Sequence, residues 1–262
     1  MTDKMKSENE GIQLTRRQIM TISALAGGIS FATPAMAQFK LGKALGAAKD
    51  LAEAETLSDE QLKSNFSQMA AEYDRLNPVA GPKDPYGKRI AALSKGLEKH
   101  DGLDLDIKAY LVSDVNAFAM ADGTIRVFAG LMDKFTDNEI RYVIGHEIGH
   151  VQAGHSRKRM QAALRASALR KGASAAGGTA GRIAEGELGG LIQQVMVAQH
   201  SQKNENEADD YAMSFMKGKG YDAQACVTAL DKLAELGSGG GLPWLQTHPS
   251  PEARSKRMRK LV

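Results

Sequence analysis

Thr136-Asp137-Asn138-Glu139-Ile140-Arg141-Tyr142-Val143-Ile144-Gly145-His146-Glu147-Ile148-Gly149-His150 carries two patterns in one segment. Thr136 followed three residues later by Glu139 is a capping box, which satisfies two of the backbone N–H groups that a helix start leaves free. Ile140, Ile144, Ile148 and Val151 recur at helical spacing and predict a core-facing stripe. His146 and His150 are four apart, so they sit a turn apart on one face. At about 100° per residue that face points away from the isoleucine stripe. Two imidazoles so placed can share one tetrahedral ion. Glu147 projects beside them, where a carboxylate accepts the proton of a metal-activated water. Two unrelated surface histidines would also give this spacing. Gly145 and Gly149 argue against that reading. Each costs the helix about 1 kcal/mol against Ala, which predicts that a second helix approaches closely there.

A third protein ligand is expected downstream, where residues 199–210 offer His200, Glu205, Glu207, Asp209 and Asp210. Glu205 and Asp209 are four apart and share a helix face. A metal-binding histidine usually gives its second ring N–H to a carboxylate. Glu205 is therefore expected on the metal and Asp209 against His146. Glu207 lacks an equivalent partner one turn on, since position 211 is tyrosine. Ala208 leaves room for the motif helix. Two histidines and one glutamate leave a fourth position open, as a catalytic zinc needs, so one Zn2+ per chain is expected. His155 lies outside the spacing of a third histidine ligand. It reads as a support for the site or a surface group, and His100 and His200 read as ordinary polar positions. Cys226, the single cysteine, reads as a small core hydrophobe.

Outward from this segment, Ser58 with Gln61 predicts a capped helix carrying Leu62, Phe66, Met69, Tyr73 and Leu76. Residues 107–112, 116–119 and 124–128 read as strands, with Asp122-Gly123 as a turn signal. They predict a small sheet of about three strands, antiparallel. Residues 172–190 are rich in Gly and Ala and are expected to form a mobile loop or short helices. A single long helix is expected over 191–217, and a last one starting with Ser250 as N-cap and Pro251 at its first position. The fold class is α+β, mainly α-helical.

Hydrophobic content of 42% and charged content of 25% fit a folded domain. A net charge of +3 implies no strong field. Without a basic tract interleaved with aromatics, no nucleic-acid partner is expected. Arg16-Arg17 precedes a mildly apolar run that closes on Ala35-Met36-Ala37, a small-x-small cleavage pattern. Residues 1–37 therefore read as an export signal that resembles the twin-arginine type, cut near Ala37-Gln38. The run is shorter than the roughly 20 residues of a membrane span. The expected layout is a signal over 1–37, a helix or tether over 38–56 and a metallopeptidase domain over 57–262. The expected location is the periplasm, with at most peripheral membrane association.

His146-Glu147-x-x-His150, Ser201-x-x-x-Glu205-x-x-Ala208-Asp209 and Thr247-His248-Pro249 with Arg254 occur in the order found in a known family. Asn116-Ala117-Phe118-Ala119 and Gly130-Leu131-Met132 precede the motif helix in the same way. The chain resembles the HtpX-like and CAAX prenyl-protease-like zinc metallopeptidases, within the gluzincins, over about residues 105–255. The resemblance implies a membrane-embedded or membrane-associated peptidase of zincin type. This chain lacks the membrane helices and is more similar to the soluble periplasmic branch, which acts on misassembled outer-membrane proteins. The resemblance also implies that His248 can reach the zinc and block its open position at rest.

The expected activity is zinc-dependent hydrolysis of peptide bonds in unfolded or misassembled proteins, outer-membrane proteins among them. Glu147 serves as general base and then returns the proton to the leaving amine. His248 and Arg254 are candidate donors to the developing oxyanion. Asn116, Ala117 and Phe118 form a candidate edge to which an extended peptide adds. The competing readings are a self-inhibited or weakly proteolytic assembly factor on the same fold, and a hydrolase of small amides or lipids.

Overall fold

The computed structural model describes residues 58–174 and 185–262. The export signal expected over 1–37 and the helix or tether expected over 38–56 lie outside the described residues. So do residues 175–184 of the loop expected over 172–190.

Helix α1 (Asp59–Leu76) starts on the Ser58/Gln61 box, with the Gln61 N–H donating to Ser58 Oγ at 3.2 Å and the Ser58 N–H to Gln61 Oε1 at 2.9 Å. It buries Leu62, Phe66 and Met69, while Leu76, at its end, is exposed. After α2 (Pro85–Leu93) come a short hairpin, β1 (Lys99–His100) and β2 (Leu103–Asp104), and a three-stranded sheet of β3 (Asp106–Tyr110), β4 (Ala117–Ala119) and β5 (Thr124–Phe128). The strand order is β3-β5-β4.

The sheet is mixed, which corrects the antiparallel expectation. β4 pairs antiparallel with β5, as the Asp122-Gly123 turn requires, but β3 pairs parallel with β5. β5 is buried along its whole length. A strand buried on both faces belongs at the centre of a sheet, so it separates β3 from β4 and leaves β4 at an edge.

β5 leads through α3 (Ala129–Lys134) into the motif helix α4 (Asp137–Gln152). The Thr136/Glu139 capping box forms as expected. Helix α4 is buried almost all round, not on one stripe: Tyr142, Val143, Ile144, His146, Ile148 and His150 are all inside. Its second face is covered by α7 (Gln202–Gly218). A Cβ on Gly145 would come within 2.8 Å of the Phe215 ring, and one on Gly149 within 2.9 Å of Ala208 Cα. The two glycines are the groove into which α7 packs.

Between α4 and α7 run α5 (His155–Ser174) and α6 (Glu185–Val197). The single helix expected over 191–217 is therefore two. Ser201 caps the second, accepting from the Asn204 N–H at 3.2 Å, and the His200 N–H donates to the Thr247 carbonyl at 2.8 Å. A capping serine competes with helix continuation at that point.

The chain closes with α8 (Ala225–Gly237), α9 (Pro243–Thr247) and α10 (Pro251–Met258). Ser250 stands at the N-cap position of α10, but its φ is 59° and its side chain makes no capping bond. Pro251 supplies the start of that helix by its fixed φ.

The main core gathers Ile140, Ile144, Ile148, Met216, Leu230 and Trp244. A second packs α1 against α5 and α6 through Phe66, Met69, Met160, Leu164 and Ile192. Cys226 is buried in the first. Among the described residues no helix is long and apolar enough to cross a membrane.

Candidate active site

Helix α4 presents His146 and His150 to Glu205 on α7, across the contact that Gly145 and Gly149 make possible. His146 Nε2 lies 3.6 Å from Glu205 Oε2, and His150 Nε2 lies 3.4 Å from Glu205 Oε1. The two Nε2 atoms are 3.0 Å apart. One ligand atom from each of His146, His150, Glu205 and His248 falls within 4.8 Å of the others, and all four residues are buried.

The supports behind these groups are specific. Asp209, one turn beyond Glu205, places Oδ1 3.0 Å from His146 Nδ1. It also accepts from the Tyr142 hydroxyl at 2.8 Å and from Arg254 through Nε at 2.9 Å and Nη2 at 2.7 Å. Burial works to raise the Asp209 carboxyl, but the Arg254 charge and the bonds from Arg254 and His146 outweigh it and hold Asp209 well below the usual carboxylate range. An ionised carboxylate can only accept, so the proton of His146 sits on Nδ1 and Nε2 turns a lone pair inward. Arg254 also forms an ion pair with Glu205.

The inward-facing atoms fit a cation. Glu147 Oε1, Glu205 Oε1 and His248 Nε2 are buried without hydrogen-bond partners, while Glu205 Oε2 faces the Arg254 guanidinium. Buried polar atoms left so in a folded protein point to an ion or water. Burial, with the nearby Glu205 charge, pushes Glu147 up to about 8. Burial also pushes Glu205 up to about 8 against the pull of Arg254. His146 is driven down to about 4 by burial and by Arg254. A divalent cation among them would reverse these costs by supplying the positive charge that the inward-facing lone pairs attract.

A family model described as Peptidase family M48 matches residues 88–262. The chain belongs to this peptidase family. It is 39% identical over 208 residues to "Metalloprotease LoiP" of Escherichia coli K12, which covers 79% of this chain and 82% of that protein. It is 38% identical over 211 residues to "Metalloprotease YcaL" of the same strain, covering 80% and 83%. A "Beta-barrel assembly-enhancing protease" of Yersinia pestis is 34% identical over 161 residues, covering 55% of this chain and 32% of that protein. The chain is a metalloendopeptidase, and the buried histidine and glutamate cluster is able to hold the metal ion that the M48 family implies.

In this M48 peptidase His248 caps the end of α9, with Nδ1 2.8 Å from Thr247 Oγ1 and Nε2 3.5 Å from Glu147 Oε1. Its ring stacks on Trp244 at 4.0 Å. Arg254, expected as an oxyanion donor, is fully buried and bound to Asp209, Glu205 and Tyr142.

Strand β4 is the sheet edge nearest the site. Asn116 accepts from the Phe128 N–H, and the Met120 N–H donates to Thr124. Backbone groups alternate in direction along a strand, so those of Ala117 and Ala119 face away from β5. The Ala117 N–H is taken by Asn116 Oδ1 at 3.0 Å, and the Ala119 N–H faces Glu147, whose carboxyl it helps to hold down. The Phe118 ring packs against Tyr73, Tyr110 and Phe128. A groove of about 410 Å³ runs along this edge, lined by Ala119, Met120, Gly123, His150, Gln152 and Arg157 among others.

Three further groups complete the surroundings of the site, His155 as the support that its sequence reading allowed. His155 is buried, with Nδ1 2.8 Å from His150 Nδ1 and Nε2 2.9 Å from Glu207 Oε2. Glu207 therefore has a histidine partner, from α5 and not from its own helix face. His200, read as an ordinary polar position, lies over the His150 ring at 4.0 Å, with Nδ1 2.7 Å from Arg159 Nη2. Tyr142 was legible in principle: it stands four residues before His146, on the same face.

Proposed function

We propose that this peptidase is a zinc-dependent endopeptidase acting on unfolded or misassembled proteins, with its metal held by His146, His150 and Glu205. The observation that carries the reading is the convergence of buried ligand atoms of His146 and His150 from α4 and of Glu205 from α7 within 4.8 Å. Two nitrogens and a carboxylate oxygen are a donor set suited to catalytic zinc. Zinc there would supply Lewis acidity toward water and the scissile carbonyl.

The chain's own groups perform the rest. Glu147 Oε1, buried and free of partners, accepts the proton of the attacking water and returns it to the leaving amine. Asp209 keeps the His146 proton on Nδ1. The β4 edge of Asn116, Ala117 and Phe118 receives an extended peptide as an added strand, with the Asn116 side chain giving up the Ala117 N–H to it, and the packed Phe118 ring holds that edge in place. His248 Nε2, beside Glu147, is the candidate donor to the oxyanion.

Periplasmic quality control is the setting we favour. The small-x-small pattern at Ala35-Met36-Ala37 supports export. The naming of two relatives as β-barrel assembly-enhancing proteases supports outer-membrane proteins as substrates. The test is Glu147→Gln: zinc content should persist while cleavage of an unfolded protein such as casein is lost. Retained cleavage would sink the mechanism.

A second reading is a self-inhibited enzyme or assembly factor, favoured by the inclusion of His248 in the same buried ligand group. His248→Ala should then raise proteolysis. A fall in proteolysis returns His248 to the role of donor.

A further inference from the structure

His146 and His150 need the same preparation to bind a metal: a proton on Nδ1 and a bare Nε2. Asp209 provides this for His146 directly. Among the described residues no carboxylate reaches His150 Nδ1, whose partner is the Nδ1 of another histidine, His155, at 2.8 Å. Two Nδ1 atoms at that distance share one proton, and its owner decides whether His150 is ready for a metal.

The owner follows from the far side of His155. Its Nε2 lies 2.9 Å from Glu207 Oε2. A glutamate carboxylate at neutral pH can only accept, so it draws the single proton of a neutral His155 onto Nε2. His155 Nδ1 is then an acceptor, and the shared proton belongs to His150 Nδ1. His150 Nε2 is left with its lone pair toward Glu205.

The fold builds this contact on purpose-shaped backbone. Gly154, with φ 64°, turns the chain between α4 and α5 so that His155, the first residue of α5, folds back on His150. Glu207 reaches in from α7, the helix that carries Glu205 and Asp209.

We infer that His155 and Glu207 are positioning residues: a two-membered relay that fixes the Nδ1–H tautomer of His150 and so keeps its Nε2 ready for the metal. The inference rests on the reading of His150 as a metal ligand. On it, three of the four acidic residues of α7 have three tasks. Glu205 faces the metal, Asp209 orients the first histidine, and Glu207 orients the second through His155.

Glu207 makes a sharp test because its side chain is 43% exposed, and an exposed glutamate replaced by its amide leaves packing unchanged. The full metal-free chain carrying Glu207→Gln, His155→Phe or both is titrated with Zn2+ against a chromophoric chelator. The His150 ring nitrogens are read by long-range 1H–15N NMR in the same metal-free samples. The relay predicts a zinc affinity lower by about 10- to 100-fold in each single variant. The double variant should be no weaker than His155→Phe. The His150 proton should sit on Nδ1 in the wild type and move at least in part to Nε2 in Glu207→Gln. Wild-type affinity and tautomer in Glu207→Gln, or fully additive losses in the double variant, would overturn the relay. His150→Ala separates the two levels. If it keeps zinc, the ligand reading fails and the relay with it; if it loses zinc while Glu207→Gln does not weaken binding, the relay alone fails.

Discussion

Arg254 grips Asp209 with two nitrogens, Nε to Oδ2 at 2.9 Å and Nη2 to Oδ1 at 2.7 Å, and neither residue is exposed. This pair joins α10 to the helix that carries Glu205. The chain's end thereby fixes the carboxylate that orients His146. Removing one partner of a buried ion pair leaves the other uncompensated, at a cost of about 3–5 kcal/mol. Arg254→Met should lower unfolding free energy by about that amount in denaturant titrations and weaken zinc binding as well. Wild-type stability would remove Arg254 from its structural role.

Metal and stability should be linked. Ligand that binds only the folded state stabilises it by about 2.7 kcal/mol at a hundredfold excess over its dissociation constant. Chelation should therefore lower the thermal midpoint, and added Zn2+ should restore both the midpoint and proteolysis. Ligands must be deprotonated to bind, so the zinc-dependent gain should shrink as pH falls below the raised Glu205 value of about 8 and again as it falls through the depressed His146 value of about 4. A midpoint indifferent to chelator and zinc would contradict a metal at His146, His150 and Glu205.

Helix α4 should not tolerate a methyl group at Gly149. Its Cβ would meet the Ala208 backbone, Cα at 2.9 Å and O at 3.0 Å, so α7 must move as a unit. Overpacking of this kind costs about 1–3 kcal/mol. Because α7 carries Glu205, Gly149→Ala should also lower zinc affinity. Gly190→Ala in α6, with open space around it, serves as a control and should leave zinc affinity unchanged.

A second ion pair anchors α1 to the sheet. Arg126 of β5 donates through Nε and Nη2 to the two Asp74 oxygens at 2.8 Å each, and the Tyr110 hydroxyl adds a bond at 2.7 Å. Burial works to raise the Asp74 carboxyl, but the Arg126 and Tyr110 bonds outweigh it and hold it below its ordinary value. A depressed carboxyl contributes stability above its unfolded pKa and loses it as pH falls through the folded one. Asp74→Asn should cost about 2 kcal/mol at neutral pH and flatten the loss of stability below about pH 4. A variant with the wild-type acid limb would show that other carboxylates govern it.

Much of the site was legible because its signals are local. The Thr136/Glu139 box, the four-residue spacings of His146 with His150 and Glu205 with Asp209, and the helix-packing glycines each lie within a turn or two of chain. Helical periodicity converts such spacings into shared faces. Boundaries were less legible. A capping serine at 201 divides what the apolar pattern joins, and the left-handed Ser250 starts a helix without using its side chain.

The sequence by itself determined the helix of His146, Glu147 and His150, the helix of Glu205 and Asp209, and the chemistry those residue types support. Tertiary structure alone decided that β5 lies between β3 and β4, that Arg254 is buried on Asp209, and that His155 joins His150 to Glu207. The reason is range. Capping and periodicity are settled by backbone geometry over a few residues. The His155–Glu207 and Arg254–Tyr142 contacts span 52 and 112 positions. They exist only because two glycines let α4 and α7 touch and the following helices close over them.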